Sequence, residues 1–273
     1  MNTHVFDQAI ALTPTADGQY TGATSPAYAN MVGPFGGVTA ATALNAVLQH
    51  PGLLGEPLSL TVNFCAALAD GPFGVTARPV RTNRSTQHWV MDITQANGEG
   101  GIDTVLTASA VTAARRTTWS VDDEAMPTVP PVAEVSPYTV PAPVAWIQRY
   151  EMRPIEGPIP HIWDGGGDHS RSRMWVRDAE PRVLDFCGLT ALADVFFPRV
   201  WLRRATPVPV GTVSMTVYFH AGAAPLAGCG HGWLLGQARA QAFRNGFFDQ
   251  TAQLWNEGGH LLATSHQIVY YKA

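Results

Sequence analysis

Residues 183–197, VLDFCGLTALADVFF, decide the fold of this chain. Their leucines, phenylalanines and alanines leave little polar surface, so a helix formed here is apolar nearly all round. Pro198 follows and is expected to end the helix, because proline lacks the N–H that the next turn requires. Such a helix has to be enclosed by other elements, and a curved sheet wrapped around it provides the enclosure.

The segments after this helix have the composition of strands, and an earlier part of the chain has the same order. In the later part the predicted strands are GTVSMTVYFHA (211–221), GWLLGQARAQAFRNG (232–246), FFDQTAQLWNEGG (247–259) and HLLATSHQIVYY (260–271), preceded by MWVRD. In the earlier part, GPFGG and the predicted helix VTAATALNAVLQH (38–50) precede LSLTVNFCAAL (58–68), GVTARPVRTN (74–83), STQHWVMDITQANGEGG (85–101) and TVLTASAVTAA (104–114). VNFCA in the first part is echoed by VYFHA in the second, and NG or NEGG separates strand-like runs in both, as in hairpins. The sequence therefore predicts an α+β unit, one long helix with several antiparallel strands, present twice.

A proline-rich segment, EAMPTVPPVAEVSPYTVPAP (124–143), separates the two parts. Its prolines cannot donate to a sheet and they hold the backbone extended, which is typical of a linker. We predict an N-terminal unit at 1–122, a linker at 123–143 and a C-terminal unit at 144–273.

Composition excludes several classes of protein. Apolar residues make up 46% of the 273 residues and charged residues 14%, which indicates a folded globular protein. A net charge of −4 without Lys/Arg clusters argues against nucleic-acid binding. The chain lacks an apolar run of the ~20 residues that a membrane span needs, and its start lacks the pattern of a signal peptide. Because Cys65, Cys187 and Cys229 are widely separated, we expect a reduced, cytoplasmic protein without a cysteine-based metal site.

The segment HIWDGGGDH (161–169) is the one candidate for a metal site. His161, Asp164, Asp168 and His169 could ligate a metal, but the glycine run favours a flexible loop. The spacing from Asp164 to His169 also matches that of hotdog enoyl hydratases, although the Asn-Pro of that motif is missing. Nucleophile-elbow, phosphate-loop, dinucleotide and HExxH motifs are absent from the sequence. We therefore predict no metal and no cofactor.

Asp194 is the only charged residue between Phe186 and Pro198. In the last turn of the predicted helix it faces the negative end of the helix dipole, and its neighbours are apolar. Both effects raise the pKa of a carboxyl group, which suits a general base working near neutral pH. The alternative is a structural carboxylate satisfied by a backbone or hydroxyl partner.

Two further polar residues lie in predicted strands. Gln267 shares a strand face with small and apolar residues, whereas His266 points to the opposite face and is read as structural or surface. Thr212 opens a strand in which we expect strict alternation, with Thr212, Ser214, Thr216 and Tyr218 on one face and Val213, Met215, Val217 and Phe219 on the other. A threonine at a strand start ordinarily reflects β-propensity alone.

Six sequence segments, taken in their order along the chain, resemble those of the acyl-CoA thioesterase II family, in which two hotdog units are fused in one polypeptide. They are FGG (35–37), EMRPIE (151–156), RMWVRD (173–178), LADVFF (192–197), GTVSMTVYFH (211–220) and ATSHQ (263–267). The resemblance covers nearly the whole chain and implies an α+β double hotdog. The strand 58–68 departs from the family by lacking its histidines and its FLRPG-like phrase, which affects the expected acyl pocket more than the reaction.

The resemblance also implies an activity and a site. Family members hold the attacking water with an Asp on the second helix, a Thr or Ser at the start of the next strand, and a Gln in the last strand. The matching residues here are Asp194, Thr212 and Gln267. Backbone N–H groups near Gly36 and Gly37 would stabilise the oxyanion. The expected partner is an acyl-CoA substrate, hydrolysed to free acid and CoA, and we expect a homo-oligomer.

Two alternatives stay open at this point, a hotdog enoyl-CoA hydratase or dehydratase and a non-catalytic acyl-thioester binding protein. The first unit has Ala110 where the second has Gln267, and its helix contains no Asp. The resemblance therefore implies one active site per chain, carried by the C-terminal unit.

Overall fold

The computed structural model describes residues 3–139 and 144–272. In these ranges the helices are α1 (Val5–Ala9), α2 (Gly36–Leu48), α3 (Phe186–Leu192), α4 (Arg199–Arg204) and α5 (Ala223–Gly228). The strands of the first half are β1 (Thr13–Ala16), β2 (Gln19–Ala23), β3 (Glu56–Phe64), β4 (Pro72–Thr82), β5 (Thr86–Ala96) and β6 (Ile102–Ala113). Those of the second half are β7 (Tyr150–Glu156), β8 (Ser172–Asp178), β9 (Val210–Phe219), β10 (Leu234–Arg239), β11 (Phe243–Arg244), β12 (Phe247–Asn256) and β13 (Leu261–Tyr271).

All the strands belong to one antiparallel sheet that is nearly symmetric about its centre. The order is β1-β2-β4-β5-β6-β3-β9-β13-β12-β10-β8-β7, with β11 paired to β12. The first half, read outward from β3, therefore has the same succession of strands as the second half read outward from β9. At the centre Thr61 lies opposite Thr216, and their hydroxyl oxygens are 3.0 Å apart. The predicted duplication of an α+β unit is confirmed.

The helices α2 and α3 pack against each other on the inner face of the sheet, the face that carries the buried side chains. Ala40, Ala41 and Ala43 of α2 are fully buried, and the Cys187 Sγ of α3 lies 3.7 Å from the Ala41 carbonyl oxygen. These small side chains let the two helices approach closely. No helix among the described residues combines the length and the apolar composition of a membrane span.

The second helix is shorter than predicted, so the expectation of one long helix per unit is wrong for the second unit. The Asp185 side chain caps the start of α3 by accepting from the Gly188 N–H at 2.8 Å, and the helix ends at Leu192. Pro198 then caps a separate helix, α4. Pro198 keeps α3 and α4 separate, because proline disfavours helical backbone in the residue before it and cannot donate to the preceding turn. Asp194 therefore lies in the turn after α3 and not in its last turn.

The predicted linker is packed against the protein over the part that the structure describes. Residues 123–139, which we call the strap, run over the outer face of the second half of the sheet as far as Val135, and Tyr138 then packs on Phe197 of the main core. Trp175 Nε1 donates to the Pro130 carbonyl at 3.0 Å, and the guanidinium of Arg153 donates to the carbonyls of Val132 at 3.1 Å and Val135 at 3.0 Å. The last four predicted linker residues, 140–143, lie outside the described residues.

Candidate active site

Asp194 and Gln267 are brought together by the packing of α3 on β13. Ser265 Oγ donates to the Ala193 carbonyl at 3.3 Å, which fastens the end of α3 above the strand. Two residues further on, Gln267 Nε2 donates to Asp194 Oδ1 at 2.8 Å. Gln267 is only 3% exposed, and its Nε2 also lies 3.4 Å from Met215 Sδ. The carboxylate thus has a fixed partner on the inner face.

The pKa of Asp194 is raised to about 7 from an ordinary value of 3.8. Burial is the main cause, since protein atoms enclose the carboxyl group and disfavour its charge. The bond from Gln267 and the N–H of Gly37 act in the opposite direction and favour the ionised form. Part of the residue surface stays accessible. A carboxylate with these properties can exchange a proton with water near neutral pH.

Gly36 and Gly37 open α2 directly beside Asp194. A Cβ on Gly36 would lie 2.9 Å from Asp194 Oδ2, and one on Gly37 would lie 2.8 Å from the Ala191 carbonyl oxygen. Glycine is needed at Gly37, where the close atom belongs to the backbone, whereas a side chain at Gly36 would have to displace the carboxylate of Asp194. The positive end of the α2 dipole therefore faces the carboxylate, an influence that the sequence did not indicate. Phe64 of β3 borders the same place, 3.4 Å from the position of that Gly36 Cβ.

Thr212 lies on the inner face, which corrects the predicted strand pattern. Thr212 pairs with Val269 and Ser214 with Ile268, so Val213 is an extra residue in a β-bulge. The bulge places Thr212 on the face of Met215 and Gln267, and strict alternation across Val213 was the wrong expectation. Within the described residues, Thr212 Oγ1 makes no hydrogen bond to protein atoms. Thr212 therefore lies on the inner face but is not joined to Asp194.

The first unit lacks this polar set. The pairing of Thr61 with Thr216 relates β3 to β9, and the bulge recurs, since Leu58 is the extra residue of β3. The same relation places Pro57 where the second unit has Thr212 and Ala110 where it has Gln267. Aligning GVTAATA of α2 with GLTALAD of α3 places Ala43 at the position of Asp194.

The other candidates of the sequence do not join this cluster. His266 is exposed and lies 3.5 Å from Asp249 on the outer face. Asp168 and His169 lie 3.8 Å apart on an exposed loop, where the side chain of Asp168 is 90% exposed. Across the described ranges no group of three His, Cys, Asp or Glu residues could hold a metal ion.

Sequence reasoning missed one polar residue of the inner face, Gln250. It lies directly opposite Gln267 in the pairing of β12 with β13, and it is 2% exposed. The alternation of buried residues in FFDQTAQLW could have identified it, because Phe248, Gln250, Ala252 and Leu254 share one face.

The fold and the inner-face cluster define a double hotdog, and comparison with known proteins agrees. A conserved protein of unknown function with a hot dog fold from Alicyclobacillus acidocaldarius is 46% identical, with a TM-score of 0.93 over 100% of this chain and 99% of that one. A putative thioesterase II from Thermobifida fusca is 19% identical, with a TM-score of 0.81 over 98% and 97%. The acyl-CoA thioesterase II TesB2 from Mycobacterium marinum is 17% identical, with a TM-score of 0.75 over 98% of each chain. A search of curated protein sequences finds no match.

Residues 121–271 match the acyl-CoA thioesterase C-terminal domain, and residues 25–113 match the acyl-CoA thioesterase N-terminal domain. The chain belongs to the acyl-CoA thioesterase family. It is a thioester hydrolase, as the resemblance in its sequence predicted, and its substrate class is acyl-CoA.

Proposed function

We propose that this protein hydrolyses acyl-CoA to a free acid and CoA with a water molecule that Asp194 activates. The observation that carries the proposal is the bond from Gln267 Nε2 to Asp194 Oδ1, 2.8 Å long, on a carboxyl group whose pKa lies at about 7. In this arrangement the amide fixes the direction of the carboxylate. Burial makes the carboxylate basic enough to accept a proton from water.

The reaction needs no covalent intermediate with the enzyme, because a thioester carbonyl is electrophilic enough for water to attack. The water oxygen bonds to the carbonyl carbon while Asp194 takes one proton. Two side chains orient the water, Gln267 and Thr212, whose Oγ1 has no protein partner among the described residues. Positioning of this kind lowers the activation barrier. The tetrahedral intermediate then expels the CoA thiolate, which receives the proton from Asp194.

The carbonyl oxygen becomes negatively charged in the intermediate and requires donors. The start of α2 provides them in this proposal, since the N–H groups of Gly36 and Gly37 lie at the positive end of the helix. The N–H of Gly37 also favours ionised Asp194, so Gly36 is the donor more open to substrate. The absence of side chains at both positions lets the thioester approach the backbone.

The test is thiol release from acyl-CoAs of graded chain length by the wild type and by Asp194→Asn. We expect the variant to lose about 10²–10⁴-fold in kcat, the usual contribution of a general base. Asparagine keeps the size and the acceptor for Gln267, so folding should be retained, as circular dichroism can verify.

Asp164→Asn is the matched control, because Asp164 is exposed and is the aspartate of the hydratase-like spacing. This variant should hydrolyse acyl-CoA at the wild-type rate. Hydration of an enoyl-CoA that depends on Asp164 would support the hydratase alternative, and wild-type protein that binds acyl-CoA without releasing thiol would support the binding alternative. Either result would contradict the proposal.

A further inference from the structure

The first turn of α2 begins without a polar cap. Phe35 occupies the N-cap position, and its side chain accepts no hydrogen bond from the turn. A Ser, Thr, Asp or Asn at this position would accept from the second or third N–H of the helix, and the second N–H of α2 is that of Gly37. In α3, by contrast, Asp185 supplies such a cap. The aromatic residue therefore leaves the N–H of Gly37 free to act on Asp194.

An uncapped turn needs another means of support, because its first N–H groups lack partners within the helix. The Phe35 carbonyl is the first acceptor of α2, and the N–H groups of Val38 and Thr39 both donate to it at 3.2 Å. Gly37 itself is enclosed, since a Cβ there would lie 2.6 Å from Phe35 Cε1 and 2.8 Å from the Ala191 carbonyl oxygen. Gly37 is thus held between the Phe35 ring and the end of α3.

Trp146 stacks on the Phe35 ring. The two ring centroids are 4.2 Å apart, and the ring planes are within 7° of parallel. The indole is fastened to the segment before α2, because its Nε1 donates to Asn30 Oδ1 at 3.3 Å and the backbone N–H of Trp146 donates to the Ala29 carbonyl, also at 3.3 Å. Tyr150 packs edge-on against both rings, with centroid distances of 6.1 and 6.2 Å. A buried tryptophan of the second unit therefore supports the start of the first unit's helix.

We propose that Trp146 is a positioning residue for acyl-CoA hydrolysis, which acts through Phe35 to keep the start of α2 beside Asp194. The inference rests on the proposed function, because it takes ionised Asp194 to be the base. Without the stack, the uncapped first turn can move away from α3. The carboxylate then loses an N–H that favours its ionised form, and a smaller fraction of it can accept a proton at neutral pH. A tryptophan with a structural role alone would leave the titration of the base unchanged when it is removed.

The pH profile of the enzyme should report on Asp194. Burial, Gln267 and Gly37 are the influences on its pKa, and no charged side chain in the described part of the chain is among them. Tyr150 is a titratable group whose pKa the charge of Asp194 influences, but burial raises the pKa of Tyr150 well above its ordinary value. Tyr150 therefore stays neutral while Asp194 titrates.

The experiment measures kcat, KM and the pH dependence of kcat/KM by thiol release, for the wild type, Trp146→Leu and Trp146→Phe. The substrate is the acyl-CoA that the wild type hydrolyses fastest in the chain-length series. We expect kcat of Trp146→Leu to fall by about tenfold with little change in KM, less than the ~10²-fold that follows a ~1 Å misplacement. The midpoint of its pH profile should lie at higher pH than that of the wild type. Trp146→Phe keeps a ring on Phe35 and should restore most of kcat and the wild-type midpoint.

Trp175→Leu is the matched control. Trp175 is 5% exposed and Trp146 is 7% exposed, and the indole of Trp175 also donates one hydrogen bond, to the Pro130 carbonyl on the outer face. This variant should lower the melting temperature as Trp146→Leu does, but it should keep the wild-type kcat and the wild-type midpoint.

Trp146→Leu with the wild-type midpoint, or Trp175→Leu with an equal shift, would overturn the inference. If Trp146→Leu does not fold, Phe35→Leu removes the other ring of the stack, and a wild-type midpoint in that variant overturns the inference equally. Two results contradict the proposed function instead, a wild type that does not titrate near pH 7 and an active Asp194→Asn. The failure of the one proposal is therefore distinguishable from the failure of the other.

Discussion

Asp194 lies between two helix ends of opposite polarity, the end of α3 and the start of α2. The sequence indicated only the first, because the chain order shows which helix a residue follows and not which helix start packs against it. The carboxyl group nevertheless keeps a pKa of about 7, since burial outweighs the N–H of Gly37 and the amide of Gln267. The carboxylate is therefore ionised at a cost to stability.

The stability of the protein should reflect this cost. Between the ordinary pKa of 3.8 and the folded value of about 7, the folded state binds more protons at Asp194 than the unfolded state does. The contribution of Asp194 to the free energy of unfolding is thus full below pH 4 and is lost as pH rises through 7. Asp194→Asn removes the dependence. We expect the variant to match the wild type at pH 4 and below and to be the more stable protein at pH 8, as urea unfolding at each pH can measure.

Asp168→Asn should show no such difference at either pH, because its side chain is exposed. An Asp194→Asn protein less stable than the wild type at pH 8 would contradict the buried, raised-pKa assignment.

At the scale of elements, the start of α2 controls the position of the carboxylate. Gly36→Ala would place a methyl group 2.9 Å from Asp194 Oδ2. The side chain of Asp194 can move away, so the fold should be kept while the carboxylate is displaced from the attacking water. We expect kcat to fall by about 10²-fold, the order associated with a misplacement of ~1 Å, with little change in melting temperature.

Gly98→Ala serves as the control, since a Cβ there meets no atom within 4 Å. It should retain full activity. Unchanged thiol release by Gly36→Ala would show that Asp194 can act without the close approach of α2.

The strands show which features of the fold the sequence predicts and which it does not. The two-fold repeat was predictable because VNFCA and VYFHA occupy matching positions in β3 and β9. Gln267 was correctly placed on the buried face because β13 alternates regularly around it. Thr212 was placed on the wrong face because a bulge adds one residue at Val213, and period-2 patterns contain no signal for an extra residue. Gln250 was not predicted as a neighbour of Gln267, because the sequence does not show that β12 pairs with β13 in this register.

At the scale of the whole molecule, the strap fastens to the outer face of the sheet chiefly through Arg153. Its guanidinium donates to the carbonyls of Val132 and Val135 and to Glu151 Oε1 at 3.0 Å. Arg153→Ala leaves the two carbonyls without that donor, which should lower the free energy of unfolding by roughly 2–3 kcal/mol. Limited proteolysis should then cut the strap faster, while thiol release is maintained because Asp194 lies on the inner face.

Arg171→Ala removes a more exposed arginine, paired with Glu156, and should change stability by less than about 1 kcal/mol. Equal effects of the two substitutions would mean that the strap contributes no more than a surface ion pair.

The most direct measurement of the central claim is the pH dependence of kcat/KM for acyl-CoA hydrolysis, with Gln267→Leu measured beside the wild type. In the wild type kcat/KM should decrease tenfold per pH unit below about 7, since only ionised Asp194 accepts a proton from water. Gln267→Leu removes a bond that lowers the pKa of Asp194, so its profile should shift to higher pH as well as to lower rates. A profile that is flat from pH 5 to 8, or one whose midpoint is the same in both proteins, would contradict the assignment of Asp194 as the base.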